Sequence, residues 1–364
     1  FLGIIGLADP LRPTVRTAVK ECLTAGIRVI MITGDYPATA KKIAEEAGLD
    51  ASGVVLTGQE MEFLSPEELK ERIRKGNVFC RATPEQKLQL VNMLKENGEI
   101  VAMTGDGVND APALKSAHIG IAMGERGTDV ARESASLVLL NDDFSSIVCA
   151  VRLGRRIFDN IRKAVVFIVA AHIPIAGLSL IPVMLGWPLM LLPIHIVFFE
   201  LMVDPICSVA FENEPEETDV MTRPPRPTNA RIFDKSILLL GVKQGLALLA
   251  WVVFVYWFAQ KNGFDSEQAR TLTFTAMIMG DIWLILINRS WSRSFFKSLV
   301  QPNRILWSVL AATIAVLVVG IFVPAVRTLF HFGSFQLGYI VISIVATAVF
   351  TGLISLIPFF RRQK

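Results

Sequence analysis

The chain has 364 residues, 52% hydrophobic and 19% charged, with a mean hydropathy of +0.49 and a formal net charge of +3. Soluble globular proteins carry about 25% charged residues, so the composition argues against a wholly soluble protein, and so small a net charge gives no ground for a nucleic-acid partner. The charge is also unevenly placed: residues 1–163 read as ordinary soluble sequence, whereas 164–199 contain no Asp, Glu, Lys or Arg.

In chain order, Gly3 to Leu7 is a short apolar run, Val15 to Ala25 has a helical pattern, and Ile27 to Ile32 reads as a buried strand. Pro37 to Ala47 opens with Pro near a helix start and stops before Gly48. Ser65 to Lys75 begins Ser-Pro-Glu-Glu, a capping-box pattern. Val78 to Cys80 is strand-like, Pro84 to Glu96 helical, and Glu99 to Met103 strand-like again. Ile119 to Ala122 and Ser136 to Leu140 complete the strands. This alternation predicts a parallel sheet covered by helices, with ligands at the carboxyl ends of the strands. Cys22, Cys80, Cys149 and Cys207 lack metal-ligand or disulfide spacing and read as buried free thiols in a reducing compartment. The start at Phe1, without Met or a targeting segment, reads as the C-terminal part of a longer protein.

The densest signal is Met103-Thr-Gly-Asp-Gly-Val-Asn-Asp-Ala-Pro-Ala-Leu114. Asp106 and Asp110 stand four residues apart in a Gly-rich turn after a strand, where an α/β domain presents oxygen ligands to Mg²⁺ beside a phosphoryl group. Both can bind the metal, or one binds it while the other orients the loop. Thr33, Gly34 and Asp35 end an earlier strand, where backbone N–H groups before a helix favour phosphate oxygens. Lys87 supplies a charge to offset phosphate, or is a solvated lysine; Asp35 and Asn109 belong to the site or cap helices.

Arg152 to Lys163 is a charged helical stalk that runs into apolar sequence. Six runs reach the roughly 20 residues needed to cross hydrocarbon: 164–185, 189–211, 236–260, 270–288, 305–326 and 334–360. Basic residues follow spans two, four and six (Arg223, Arg226, Arg231, Lys235; Arg289, Arg293, Lys297, Arg304; Arg361, Arg362, Lys364), against only Lys261, Arg270 and Arg327 on the other side. This bias places the soluble domain and the C-terminus in the cytoplasm. Within span two, Glu200 and Asp204 share a helix face at i,i+4 spacing, beside Pro205. Intramembrane acids cost at least about 2.5 kcal/mol each and mark ion paths. A proline break frees carbonyls for coordination. His172 in span one and Asp281 in span four are further candidates for the cation; His195 reads as packing.

These residues resemble the phosphorylation domain and last six spans of type II P-type cation-transporting ATPases. Thr104 to Leu114 matches that family's hinge-and-magnesium motif, and Asp9-Pro10, Met31-Ile-Thr-Gly-Asp35 and Thr83-Pro-Glu-Gln-Lys87 match other blocks in the same order. Asp219-Val-Met-Thr-Arg-Pro-Pro-Arg226, after Ser208 to Pro215, is similar to the type II group. The resemblance covers essentially the whole chain. It implies a haloacid-dehalogenase-like (Rossmann-like) α/β domain over 1–150, a stalk over 151–163 and an all-α membrane domain of six helices over 164–364. It also implies Mg²⁺ and ATP as cofactors, Asp106 as the Mg²⁺ ligand, Asp110 as loop support, Thr33 and Gly34 at phosphoryl oxygens and Lys87 at the phosphate. The Asp-Lys-Thr-Gly-Thr block that carries the phosphorylated aspartate is absent from these residues, as are the nucleotide and actuator domains and the first four spans. The expected function is therefore part of an ATP-driven pump in the plasma (inner) membrane, exporting Ca²⁺, with the bilayer and the rest of the pump as partners. A Na⁺, K⁺, H⁺, Mn²⁺ or Mg²⁺ pump, a membrane-anchored phosphatase and a non-catalytic subunit are the rivals. The chain departs from the family at one place. Type II pumps carry Asn and, three residues on, Glu in the fifth span; the positions here are His172 and Ile175, while Glu200 replaces an Asn of calcium pumps. This implies one cation site rather than two.

Overall fold

The computed structural model describes residues 10–51, 53, 55–228 and 230–357, without the side chains of 202–208. The expected run Gly3 to Leu7, Asp9, the basic residues beyond 357 and the side chains of Asp204, Pro205 and Cys207 lie outside that description. The chain divides into two compact units, bounded by Phe1–Leu153 with Asp219–Asn229 and by Gly154–Thr218 with Ala230–Lys364.

The first unit runs α1 (Val15–Thr24), β1 (Met31–Ile32), α2 (Pro37–Ala47), β2 (Val55–Thr57), α3 (Gly58–Phe63), α4 (Pro66–Lys75), β3 (Val78–Cys80), α5 (Pro84–Glu96), β4 (Ala102–Gly105), α6 (Ala111–Ser116), β5 (Ile119–Met123), α7 (Asp129–Ser134) and β6 (Leu137–Leu139). All its strand pairs are parallel, in two three-stranded sheets of order β1-β3-β2 and β4-β5-β6. Leu56 and Phe79 from one sheet and Met103 and Ala122 from the other enter one apolar core with Leu69, Leu90 and Leu114. β3 has the expected bounds and β5 runs one residue past its apolar run, whereas β1 and β6 are shorter than theirs and β4 starts three residues later and ends two later; β2 with α3 was not legible as a separate step. Capping boxes start three helices: Thr57 with Glu60 at α3, Ser65 with Glu68 at α4, and Thr83 with Gln86 at α5. Each exchanges a side-chain and a backbone hydrogen bond, satisfying two N–H groups that a helix start leaves open. Gln86 Nε2 also donates to the Gly58 carbonyl at 2.8 Å, tying α5 to α3. Cys22 and Cys80 are buried as expected, whereas Cys149, near the start of the long helix that follows β6, is exposed.

The second unit is helical: α8 (Ser145–Leu185, which begins in the first unit), α9 (Pro193–Glu212), α10 (Lys235–Lys261), α11 (Ser266–Asn288), α12 (Phe295–Leu299), α13 (Arg304–Phe322), α14 (Pro324–Leu329) and α15 (Leu337–Leu356). Among the described residues, α8, α10, α11, α13 and α15 are long and apolar enough to cross a membrane. α9 is the helix at the expected second span. The stalk and first span form one continuous helix, despite Pro174 and Pro182 inside it. The turn expected after Leu185 is made by Gly186 at φ +66. The fifth span ends earlier than the apolar run suggests: Val323 is extended before Pro324, which starts the separate α14, because a residue preceding proline disfavours the helical region.

α10 meets α8 through Gly241 and Gly245, where an added Cβ would lie 2.9 Å from the Val166 carbonyl and 2.8 Å from the Ala170 carbonyl. This is small-residue packing, which lets membrane helices approach backbone to backbone. Pro174 has no N–H to give the Ala170 carbonyl, so the α10 backbone covers the place where α8 lacks a bond. Gly245→Val should therefore force the helices apart and destabilise the detergent-solubilised protein by about 1–3 kcal/mol, read as a lower midpoint in thermal unfolding.

Beyond the apolar core, the second unit buries charge in pairs. Lys163 Nζ lies 2.7 Å from Glu217 Oε1, with both side chains nearly inaccessible. Ser290 Oγ donates to Glu217 Oε2 at 2.6 Å, the Trp291 N–H to Oε1 at 3.1 Å, and the Ser292 hydroxyl also donates to this carboxylate. Arg289 Nε donates to Glu214 Oε1 at 2.8 Å, and Asn303 Nδ2 to the same oxygen at 2.9 Å. Burial pushes the Glu217 carboxyl up, but Lys163 and the serine hydroxyls outweigh it and bring it from 4.5 down to about 2. A depressed folded-state value means stability that is present above pH 4.5 and lost as pH falls toward 2. Glu217→Gln should flatten that acid limb of the unfolding midpoint against pH; an unchanged limb would assign it to other carboxylates.

Candidate phosphoryl and cation sites

Two clusters carry the candidate residues, one in each unit. In the first, Thr33 directly follows β1 and β4 ends at Gly105, each at the carboxyl end of an outer strand of its sheet. The Thr33 N–H donates to the Phe79 carbonyl at 2.9 Å, and the Ala82 and Arg81 N–H groups donate to the Thr33 and Asp35 carbonyls at 3.2 Å each. The turn after β1 is thus fastened to the chain leaving β3. Thr33 Oγ1 donates to Asp35 Oδ2 at 2.8 Å and accepts the Asp35 N–H at 3.1 Å. Asp35 closes a local turn on Thr33 and is not the N-cap of α2, which is Tyr36. Gly34 stands at this turn, with open space around its Cα.

On the second loop, Asp106 is exposed and Asp110 buried. Asp110 is also the N-cap position of α6; Asn109 lies one residue earlier, exposed in a 3-10 turn over Val108–Asp110. Neither Asp35 nor Asn109 therefore holds the capping position that sequence allowed. Lys87 Nζ donates to Asp110 Oδ1 at 2.7 Å, and the Gly107 N–H to Asp110 Oδ2 at 3.4 Å. The Thr83 capping box aims Lys87 by fixing the start of α5. Gly105 is required here, since a Cβ on it would sit 2.5 Å from that of Asp110. The Asp106 carbonyl accepts the Thr128 N–H at 2.8 Å, while its carboxylate has no partner among the described residues. The two acids thus play different parts, since Asp110 is held by Lys87 whereas Asp106 offers a free carboxylate.

In the second unit, His172 on α8 faces Glu200 on α9, with Nε2 3.7 Å from Oε1 and both side chains partly exposed. Asp281 lies buried in α11 with neither carboxylate oxygen hydrogen-bonded. Among the described residues no three His, Cys, Asp or Glu side chains gather as a metal site, so Asp281 is not brought together with the His172–Glu200 pair. His195 is fully buried, with Nδ1 accepting the Leu192 N–H at 2.9 Å, Nε2 2.8 Å from the Phe330 carbonyl, and its ring stacked on Phe332. It is a packing residue, as its sequence position suggested.

Sequence reasoning missed the buried pairs Lys163–Glu217 and Glu214–Arg289. The only signal was an acidic run, Glu212 to Glu217, facing basic residues far away in the chain.

Residues 188–360 match the family described as "Cation transporting ATPase, C-terminus", and residues 1–118 match the haloacid dehalogenase-like hydrolases. The chain belongs to the P-type cation-transporting ATPases. It is 38% identical to a calcium-transporting ATPase of Bacillus subtilis over 336 residues, covering 91% of this chain and 37% of that protein. It is 32% identical to calcium-transporting ATPase 1 of Schizosaccharomyces pombe, covering 100% of this chain and 41% of the relative. Against human calcium-transporting ATPase type 2C member 1 the identity is 33%, covering 93% and 37%. The chain thus spans well under half the length of these P-type relatives. Its apolar helices and this kinship make it an integral membrane protein.

Lys87→Met leaves a buried carboxylate without its cation. This should cost about 1–3 kcal/mol, read as a lower unfolding midpoint. Adding Asp110→Leu should recover part of the loss, since removing both charges leaves none unpaired.

Proposed function

We propose that this chain is the phosphoryl-handling and cation-carrying part of an ATP-driven pump that works through an aspartyl-phosphate and exports Ca²⁺ from the cytoplasm. The observation that carries the reading is the union, in one chain, of two phosphate-type loops at parallel strand ends with a membrane helix pair bearing His172 and Glu200. The names of the relatives support calcium. In this reading the acceptor aspartate, the nucleotide and actuator domains and the first four spans belong to the rest of the pump. The skew of basic residues supports a cytoplasmic first unit and C-terminus, in the plasma (inner) membrane.

The residues fit Mg²⁺ and a phosphoryl group. Asp106 is an unpartnered hard oxygen donor on a turn held by the Thr128 N–H. Mg²⁺, when bound, supplies charge neutralisation of the phosphoryl oxygens. Thr33 and the N–H groups after it hold those oxygens. Lys87 lends positive charge while remaining in place through Asp110. Asp110 keeps the loop in register through the Gly107 N–H. ATP binds mainly outside these residues. Glu200 and Asp204 contribute the principal carboxylates of the transport path, and Asp281 is a secondary candidate on another helix.

Asp106→Asn in the full-length pump should reduce Mg²⁺-dependent phosphorylation from ATP by roughly 100-fold or more while the unfolding midpoint stays close to wild type. Normal phosphorylation at limiting Mg²⁺ would remove Asp106 from the metal site. Asp204→Asn should raise the cation concentration for half-maximal phosphorylation by orders of magnitude and spare phosphorylation from inorganic phosphate.

A further inference from the structure

The carboxyl ends of β4, β5 and β6 lie side by side, since the three strands are parallel and paired in that order. Three turns leave them: the first holds Asp106, the second runs over 124–128 and the third holds Asp142. Asp142 is buried and stands at φ +50, a backbone region that is costly for most side chains and that Asp and Asn tolerate. Its Oδ1 accepts the Gly124 N–H at 2.6 Å and the Glu125 N–H at 3.1 Å, and its Oδ2 accepts the Arg126 N–H at 2.8 Å. One carboxylate thus takes three successive N–H groups of the middle turn. Arg132 takes its carbonyls, with Nη1 donating to that of Gly124 at 2.9 Å and to that of Gly127. A Cβ at Gly127 would lie 1.9 Å from the Met123 carbonyl oxygen, so no side chain fits where the turn closes. The next residue, Thr128, caps α7 with its hydroxyl and gives its N–H to the Asp106 carbonyl at 2.8 Å. A continuous brace therefore runs from the Asp142 carboxylate, through one closed turn, to the main chain of Asp106.

Resting on the pump reading above, we propose that Asp142 is a positioning residue for the Mg²⁺ site, fixing Asp106 through the 124–128 turn. The Asp106 carboxylate has no protein partner among the described residues to orient it, so its direction depends on where its main chain is held. Hydrogen bonds from backbone N–H groups to a carboxylate are charge-assisted and stronger than those to a neutral acceptor, which makes Asp142 the firm end of the brace. Groups that orient a metal ligand from behind commonly change metal affinity by about 10–100-fold when removed. Asp142→Asn isolates the effect. It keeps the size of the side chain and its tolerance of the backbone conformation, but one carboxylate oxygen becomes an NH₂ that can only meet an N–H donor to donor. Arg132 still grips the carbonyls of the turn, so the variant shifts the turn and leaves the fold in place.

The test uses the full-length pump in native membranes. Phosphorylation from inorganic phosphate is titrated with Mg²⁺ in wild type and Asp142→Asn. Asp142→Gly, which also accepts the backbone conformation, takes its place should the first variant fail to accumulate. The half-saturating Mg²⁺ concentration should rise about tenfold, while the Ca²⁺ concentration that half-saturates phosphorylation from ATP, at saturating Mg²⁺, stays at the wild-type value. Amide hydrogen exchange of the purified protein without Mg²⁺ gives a readout that needs no turnover: peptides spanning 104–110 and 127–134 should exchange faster in the variant. A purely structural role would lower the unfolding midpoint and leave the Mg²⁺ midpoint where it was. An unchanged Mg²⁺ midpoint, or faster exchange confined to 124–126, overturns the proposal. If wild type takes up no phosphate, the pump reading itself falls, and exchange at 104–110 alone decides whether Asp142 holds the Asp106 loop.

Discussion

Polar groups that leave water in the second unit must find partners within the protein, because hydrocarbon supplies no hydrogen bonds. That constraint explains much of what is seen there. Lys163 and Arg289 are almost wholly buried, and each is paired with a glutamate from the segment following α9. Arg270 in α11 gives Nη1 to the His331 carbonyl at 2.8 Å and Nη2 to the Leu189 carbonyl at 3.1 Å, joining two connections with one side chain. Thr271, Thr273 and Thr275 donate back to carbonyls four residues earlier on α11. Among the exceptions are the unpartnered carboxylate of Asp281 and the facing but unbonded side chains of His172 and Glu200, 3.7 Å apart.

What the sequence made legible was local. Periodicity and Gly–Pro punctuation located helices and strands because those signals act over a few residues. The capping box at Ser65, the turn at Gly186 and the continuous stalk all rest on such short-range physics. Motif spacing likewise singled out Asp106, Asp110 and Lys87. What it did not reveal was which acid takes which partner. Lys87 and Asp110 are 23 residues apart, and only the packing of α5 beside the loop assigns the lysine to Asp110 rather than to Asp106. The pair Lys163–Glu217 is more remote still, and Arg289 reads in sequence as an ordinary basic flank of a span. Hydropathy carried the fifth span past Val323, because apolarity continues where the backbone cannot.

The two clusters keep their acids apart from protein cations in different ways. In the first unit Lys87 is taken by Asp110, which leaves the Asp106 carboxylate without a protein partner among the described residues. In the second, His172 is tied through Nδ1 to the Ile168 carbonyl of its own helix and stands 3.7 Å from Glu200 with no hydrogen bond between them.

The three capping boxes of the first unit are alike in geometry but not in chemistry. α3 and α4 begin on Glu60 and Glu68, whose carboxyls are held below the usual range by the backbone N–H and hydroxyl groups they accept. α5 begins on Gln86, whose amide makes the same reciprocal bonds without a titrating proton. As pH falls, the carboxylates that tie the first two helix starts are neutralised, while the third tie has nothing to protonate. Acidification therefore loosens the starts of α3 and α4 and spares that of α5, so the helix that carries Lys87 begins on a tie indifferent to the proton concentration around it.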